Sequence, residues 1–316
     1  MHKAVALSLT ASAILVGGFT SCSNSNKKIQ VATGQVAPSS QPEATALYQE
    51  AQSLAARGRT KKAAKICTRI ADRYPLSAEG PEARLYAADT LLLNGDLIKS
   101  FEQYQKFIEQ YRGTAKYEHA LAQQAIVAHA AADGKIQNSF IGLKSDIPRS
   151  KAEKMLNQVR DNAPFGKSAA KAQFAIAEMW QRDKNLGNAI AAYEDLYVKY
   201  PKSSYAPEAL FRVGQLLLDQ TEKGNRNRGN LDTALTTFTD LTLLYPNTKQ
   251  AKVAKEKIKF IEKADIQRSF SVAEFYSKKK QYSSAAFYYR EVLRETTKGS
   301  ELHKLAQEHL DALPKQ

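Results

Sequence analysis

The sequence predicts an all-α fold, a solenoid of about six helix-turn-helix units. Beyond Glu43, Ala, Leu, Tyr and Phe recur at three- and four-residue spacing. No stretch alternates with period two, so strands are not expected. An aromatic followed by a helix stop then returns along the chain, as Tyr74-Pro75, Tyr111-Arg112-Gly113, Tyr200-Pro201 and Tyr245-Pro246. Small residues also repeat in register, with Ala51 to Ala88 and Ala177 to Gly214 each 37 residues apart.

The first element lies outside the array. His2 and Lys3 precede an apolar run from Ala4 to Val16 and then Gly17-Gly18-Phe19-Thr20-Ser21-Cys22-Ser23. That pattern reads as a secretory signal over residues 1–21, too short for a permanent membrane span. Its cysteine-terminated cleavage site resembles the lipobox of bacterial lipoproteins, the alternative being a plain soluble secretory signal, which also carries small residues before its cleavage site. The resemblance makes Cys22 the lipid-attachment site and mature N-terminus, palmitate included among its acyl groups. Ser23 in place of Asp implies sorting to the outer membrane. Residues 22–42 are polar and small, unable to bury enough surface to offset their ordering entropy. They form a tether with a reach of roughly 25 Å.

Residues 43–316 carry the repeats, which resemble tetratricopeptide repeats of about 34 residues. In the unit ending at Pro201, Ala177 and Trp180 fill the small and aromatic positions of the first helix, and Ala189, Tyr193 and Leu196 those of the second. The unit ending at Pro75 places Ala51, Leu54, Ala63, Cys67 and Ile70 there, and the next Ala88, Leu91, Ser100, Tyr104 and Phe107. Further units read Ala125 with Ala152, Leu156 and Val159; Gly214 with Ala234, Phe238 and Leu241; and Ala273 and Tyr276 with Ala285, Tyr289 and Val292. Small residues are needed where paired helices cross closely, and Ala169 falls in the turn before a helix. Insertions lengthen the third unit over Asp133 to Arg149 and the fifth over Lys223 to Asn230. No Pro or Gly follows Pro246 until Gly299, which predicts one long helix over Thr248 to Lys278. Leu302, Leu305, Ala306, Leu310 and Leu313 form a stripe suited to a capping helix.

Charge and chemistry exclude several functions. The formal net charge is +14, or +13 once Lys3 leaves with the signal, a balance that favours anionic lipid or an acidic partner. Nucleic acid is not expected, because the signal directs the chain out of the cytoplasm and no aromatic-basic motif accompanies the charge. His119 and His129 share one helix without a metal-ligand pattern, and His303 and His309 lie on different faces, so no metal site is expected. Gly224-Asn225-Arg226-Asn227-Arg228-Gly229 lacks a preceding strand and a Lys-Ser/Thr ending, and is a basic loop. Cys67 and Trp180 sit in core slots. With only Cys22 and Cys67 present, no disulfide framework is expected. The chain therefore reads as a non-enzyme without cofactors.

Lipoprotein signal, tether, helical repeats, lengthened third unit and long penultimate helix together resemble the BamD family, lipoproteins of the outer-membrane β-barrel assembly machine. The resemblance is carried by Ser271-Val272-Ala273-Glu274-Phe275-Tyr276, by Lys278-Lys279-Lys280-Gln281-Tyr282 with Ala285-Ala286, and by Ser139-Phe140-Ile141-Gly142 with Lys151-Ala152. It implies a lipid-anchored scaffold on the periplasmic face of the outer membrane. Its C-terminal repeats would dock a BamA-like barrel-inserting protein, and its N-terminal repeats would receive unfolded outer-membrane proteins. The other readings are a CpoB-like envelope or division coordinator and a pilus or secretion pilotin, which share the repeats without the long helix. A lipoprotein that presents nutrients or glycans would need exposed aromatic platforms, whereas almost all aromatics here fall in core slots.

The expected partner-binding surface is the second helix of the last repeat. With Ala285, Tyr289 and Val292 facing the core, Phe287, Arg290, Glu291 and Arg294 turn outward and Tyr288 lies on the flank. An aromatic between arginines has the composition of an interface hot spot. The competing expectation packs Phe287 under the capping helix.

Overall fold

The computed structural model describes residues 41–134, 137–138, 144–145, 147–221 and 228–314. The signal, Cys22, nearly all of the tether, Ser139 to Gly142 and the loop over 222–227 lie outside the described residues. Thirteen helices run through the described residues: α1 Pro42–Ala56, α2 Thr60–Arg73, α3 Gly80–Leu93, α4 Leu97–Gln110, α5 Tyr117–Ala132, α6 Arg149–Asn162, α7 Lys167–Arg182, α8 Leu186–Lys199, α9 Ala206–Gln220, α10 Arg228–Leu244, α11 Lys249–Lys278, α12 Tyr282–Glu295 and α13 Glu301–Asp311. They form six successive hairpins and a final helix, each packed mainly on its neighbours. The expected absence of strands fails in one place, where β1 Gln137–Asn138 pairs antiparallel with β2 Lys144–Ser145 inside the third-unit insertion. Such an excursion pairs its own backbone where it leaves the helical array.

Two turn designs, repeated along the chain, explain why the helices stop where they do. Between units, the N–H groups of Ser77, Thr114, Ser203 and Thr248 donate to the carbonyls of Tyr74, Tyr111, Tyr200 and Tyr245 at 3.1, 3.3, 2.9 and 3.1 Å. The tyrosine ends each second helix, and Thr248 also caps the next, accepting from Ala251 N–H at 3.2 Å. Within units, the hairpin closes through a left-handed residue: Gly58, Gly95, Lys184 and Lys280, with φ of 72, 78, 59 and 58°. The following N–H reaches back to the carbonyl of Leu54, Leu91, Trp180 or Tyr276 at 2.9 to 3.1 Å. This is the helix-ending bond that satisfies an otherwise orphan carbonyl. The residue in the motif's large first-helix slot thus also supplies the acceptor.

The core follows the predicted phase. Ala51, Ala63, Cys67, Ile70, Ala88, Ser100, Tyr104, Phe107, Ala177, Ala189, Tyr193, Leu196, Ala234, Phe238 and Leu241 are all buried. At Gly214 the close crossing is explicit, since a Cβ there would stand 2.7 Å from the Phe238 ring. Trp180 is only partly buried, bridging two clusters of the core beneath the Arg149 guanidinium, which lies 5.0 Å from its ring. Three expectations fail. Ala125 is half-buried while Val127 and Ala128 are fully buried, because α5 is so rich in Ala that several faces offer a small residue. Ala169 is not in a turn but inside α7 and fully buried, since the helix begins directly after Gly166. Leu305 is 38% exposed, whereas Leu302, Ala306, Leu310 and Leu313 reach the core.

The predicted long helix is α11, with Thr248 as its cap. It carries the core from one cluster to the next: Ala254, Ile258 and Ile261 pack with the fourth and fifth units, and Ile266, Phe270 and Ala273 with the sixth. At the other end, Arg84 is fully buried in α3, where its guanidinium donates to Asp72 (2.7 Å), Gln103 (2.8 Å), the Ala71 carbonyl (2.8 Å) and Gln110 (3.1 Å). One charge therefore ties α2, α3 and α4 together, which a hydrophobic repeat pattern does not reveal.

Candidate docking surface on the sixth unit

Helix α12 divides cleanly into two faces. Ala285, Tyr289 and Val292 are buried, as expected. The Tyr289 hydroxyl lies 3.2 Å from His309 Nδ1 on α13, and the Phe270, Tyr289 and His309 rings pack within 5.5 to 5.6 Å of one another. With Leu302, Ala306, Leu310 and Leu313, this seals the end of the array. On the other face Phe287 is 62% exposed. Packing of Phe287 under the capping helix is thereby ruled out, because α13 covers the opposite side. Arg290 and Arg294 are exposed beside it. Arg294 pairs with Glu295 at 3.0 Å, both well solvated, a contact of little energetic weight.

Tyr288 is the hinge of the surface. It is half-buried and stacked on Tyr276 of α11, with ring centroids 5.7 Å apart and planes at 7°. Phe287 meets Tyr288 edge-on at 5.3 Å, and Phe275 meets Tyr276 edge-on at 5.6 Å. Lys279 stands 5.8 Å over the Phe275 ring, and Phe275 is 55% exposed. Four aromatic rings thus form a continuous strip across α11 and α12, with basic side chains at both ends. Phe275 and Tyr276 were legible only as part of a repeat motif. Their place in this strip depends on which α12 residues α11 meets, so sequence spacing gives no signal for it. Rigid aromatic strips flanked by arginine suit protein recognition.

Two grooves add to the candidate surfaces. One of about 290 Å³ lies between α4 and α6, with Phe101 and Met155 at its floor and Lys106, Lys151 and Lys154 at its rim. The other, about 360 Å³, opens beside α11 and is lined by Leu235, Ile266 and Val292 with Glu262, Asp265, Glu291 and Glu295. Other reactive groups lie apart from both. Burial pushes the Cys67 thiol up to about 11, which leaves it protonated and inert. Burial, with Lys171 adding to it and Asp133 opposing, pushes His129 down to about 4. His119 approaches Asp89 at 3.9 Å. No helix among the described residues is long and apolar enough to cross a membrane.

A family model described as an outer membrane lipoprotein, YfiO, matches residues 144–308, more than half of the chain. A tetratricopeptide-repeat model matches residues 45–77. Among solved structures, a tetratricopeptide repeat protein from Parabacteroides merdae is 12% identical, with 86% of this chain and 98% of that one covered at a TM-score of 0.33. The tetratricopeptide domain of P58(IPK) is 18% identical over 84% of this chain and 67% of its own, at 0.33. MamA from Desulfovibrio magneticus RS-1 is 16% identical over 67% of this chain and 99% of its own, at 0.32. No curated protein matches the sequence. The chain is an all-α tetratricopeptide solenoid.

Proposed function

Because the chain belongs to the YfiO family of outer membrane lipoproteins, the BamD family, we propose that it is a non-enzymatic scaffold of the machinery that folds and inserts outer-membrane β-barrels. In this reading Cys22 carries the lipid, residues 22–42 hold the body off the headgroups, and the solenoid stands at the periplasmic face. The sixth unit docks a BamA-like barrel-inserting protein through Phe287, Tyr288, Arg290 and Arg294. The groove between α4 and α6 receives unfolded outer-membrane proteins.

The observation that carries the reading is the exposed aromatic strip ending in Arg290 and Arg294 on the unit entered by the long helix, within the residues that match the family. A large aromatic left 62% exposed beside two arginines and continuous with three further rings is well suited to a partner's carboxylates and apolar groups. The groove supports the second role, with an apolar floor for side chains of an extended chain and lysines at its rim. The alternative readings as a CpoB-like coordinator or a pilotin have no specific feature of this surface in their favour. The test is capture of the barrel-inserting protein from solubilised outer membrane. The wild-type chain retains it, and Arg290→Glu with Arg294→Glu loses it at an unchanged melting temperature. Equal capture by both chains refutes the docking surface.

A further inference from the structure

Helix α11 carries charge on most of its solvent-facing sides, but only one of those sides also exposes large apolar groups. Glu262 and Asp265 line the groove toward α12. On the opposite side, residues recurring every three or four positions from Lys249 to Lys278 form a single ridge along the helix. Val253, Phe260 and Phe275 stand on it, exposed to 47, 58 and 55%. Lys257, Arg268 and Lys278 alternate with them on the same ridge. Glu256, at the edge, is engaged by Lys259 at 3.1 Å. The helices that pack on α11 are α9, α10 and α12, and they leave this ridge open.

The spacing of the apolar groups indicates what covers them. At 1.5 Å per residue, Phe260 lies roughly 10 Å from Val253 and roughly 22 Å from Phe275 along the helix. Protein hot spots instead cluster at the centre of a closed patch. Apolar side chains spaced singly along a helix face, with long cationic side chains between them, are the pattern of a helix lying in a lipid interface. There the rings enter the boundary of headgroups and acyl chains, and the cations reach phosphates. Anionic headgroups attract such a face over about a Debye length, with each cation near the surface adding to the attraction.

We propose that the outer ridge of α11 binds anionic phospholipid, giving the solenoid a second membrane contact beside its lipid anchor. It fixes the orientation of the C-terminal units, which a flexible tether alone does not. The inference requires only that the protein work at a membrane surface, and it is carried by Val253 and Phe260, since Phe275 also ends the aromatic strip shared with α12.

The test uses the full chain carrying Phe260→Trp, reconstituted into vesicles of phosphatidylcholine alone or of phosphatidylcholine with phosphatidylglycerol. The wild-type chain supplies the background of Trp180, its single native tryptophan. With phosphatidylglycerol, the emission of the introduced tryptophan shifts to the blue and is quenched by brominated acyl chains. High salt reverses the shift. Lys257→Glu with Arg268→Glu and Lys278→Glu abolishes it at an unchanged melting temperature, and Phe260→Ser leaves the ridge unable to enter lipid in flotation of the unanchored Cys22→Ser chain. Identical emission in both vesicles overturns the proposal. So does a shift produced by solubilised outer-membrane protein and not by anionic vesicles, which makes the ridge a protein contact instead.

Discussion

Replacing Gly214 with Ala tests the packing principle on which the solenoid rests. The added methyl carbon would stand 2.7, 2.8 and 3.0 Å from Cε1, Cζ and Cδ1 of Phe238, against a favourable carbon-carbon separation of about 3.5 to 4.0 Å. Phe238 is fully buried and has Phe211 packed on it at 5.8 Å, so the ring has little room to withdraw. Overpacking of this kind costs about 1–3 kcal/mol, while Ala gains up to about 1 kcal/mol over Gly in a helix. Gly187 supplies the control, because it is exposed in α8 with nothing within 4 Å of its would-be Cβ. Gly187 is the second residue of α8, where helix propensity counts for less than in an interior, so Gly187→Ala is expected to be neutral to slightly stabilising, and a loss of about 1–3 kcal/mol at Gly214 reports the clash. In thermal unfolding followed by far-UV circular dichroism, each kcal/mol appears as about 2–4 °C for a domain of roughly this size. Phe238→Leu should relieve the clash and turn Gly214→Ala from unfavourable toward favourable. If Gly214→Ala lowers the melting temperature no more than Gly187→Ala does, close crossing at this slot is not what requires a small residue.

Three further outcomes follow. Ala169→Leu, at a fully buried α7 position, should cost about 1–3 kcal/mol, comparable to Ala189→Leu and Ala285→Leu in the same thermal assay. His129 is held near 4 by burial against about 6.5 in the unfolded chain, so the unfolded state binds the extra proton between those values and stability should fall as pH drops from about 6.5 toward 4. Melting curves of His129→Gln should lack that component. Cys22→Ser should leave the chain releasable from membranes by high salt while helix content stays unchanged, and retention in the membrane pellet after a high-salt wash would refute the anchor.

The repeat architecture was legible because its punctuation is chemical. A tyrosine followed three residues later by Ser or Thr closes every turn between units for which the sequence shows the Tyr stop, and those residues are visible without a structure. Phase was legible wherever a helix carries one small residue on one face, as at Gly214 and Ala189. It slipped at Ala125, where α5 offers Ala on several faces, and at Ala169, which reads as part of the turn before a helix although α7 already begins at Lys167. Of the docking surface, the outward direction of Phe287, Arg290 and Arg294 follows from the positions of Ala285, Tyr289 and Val292. The stacking of Tyr288 on Tyr276 does not, because it depends on the crossing of α11 and α12. Arg84 was illegible for a similar reason, since its partners Asp72, Gln103 and Gln110 come from helices on either side of it.

The scaffold reading is tested most directly by a photo-crosslinking residue placed at Phe287 in cells, with Leu93, 88% exposed at the end of α3, as the control position. Irradiation should join position 287 to the barrel-inserting outer-membrane protein in one defined adduct, and position 93 should give none. No adduct at 287, or the same adduct at both positions, would contradict docking through the sixth unit.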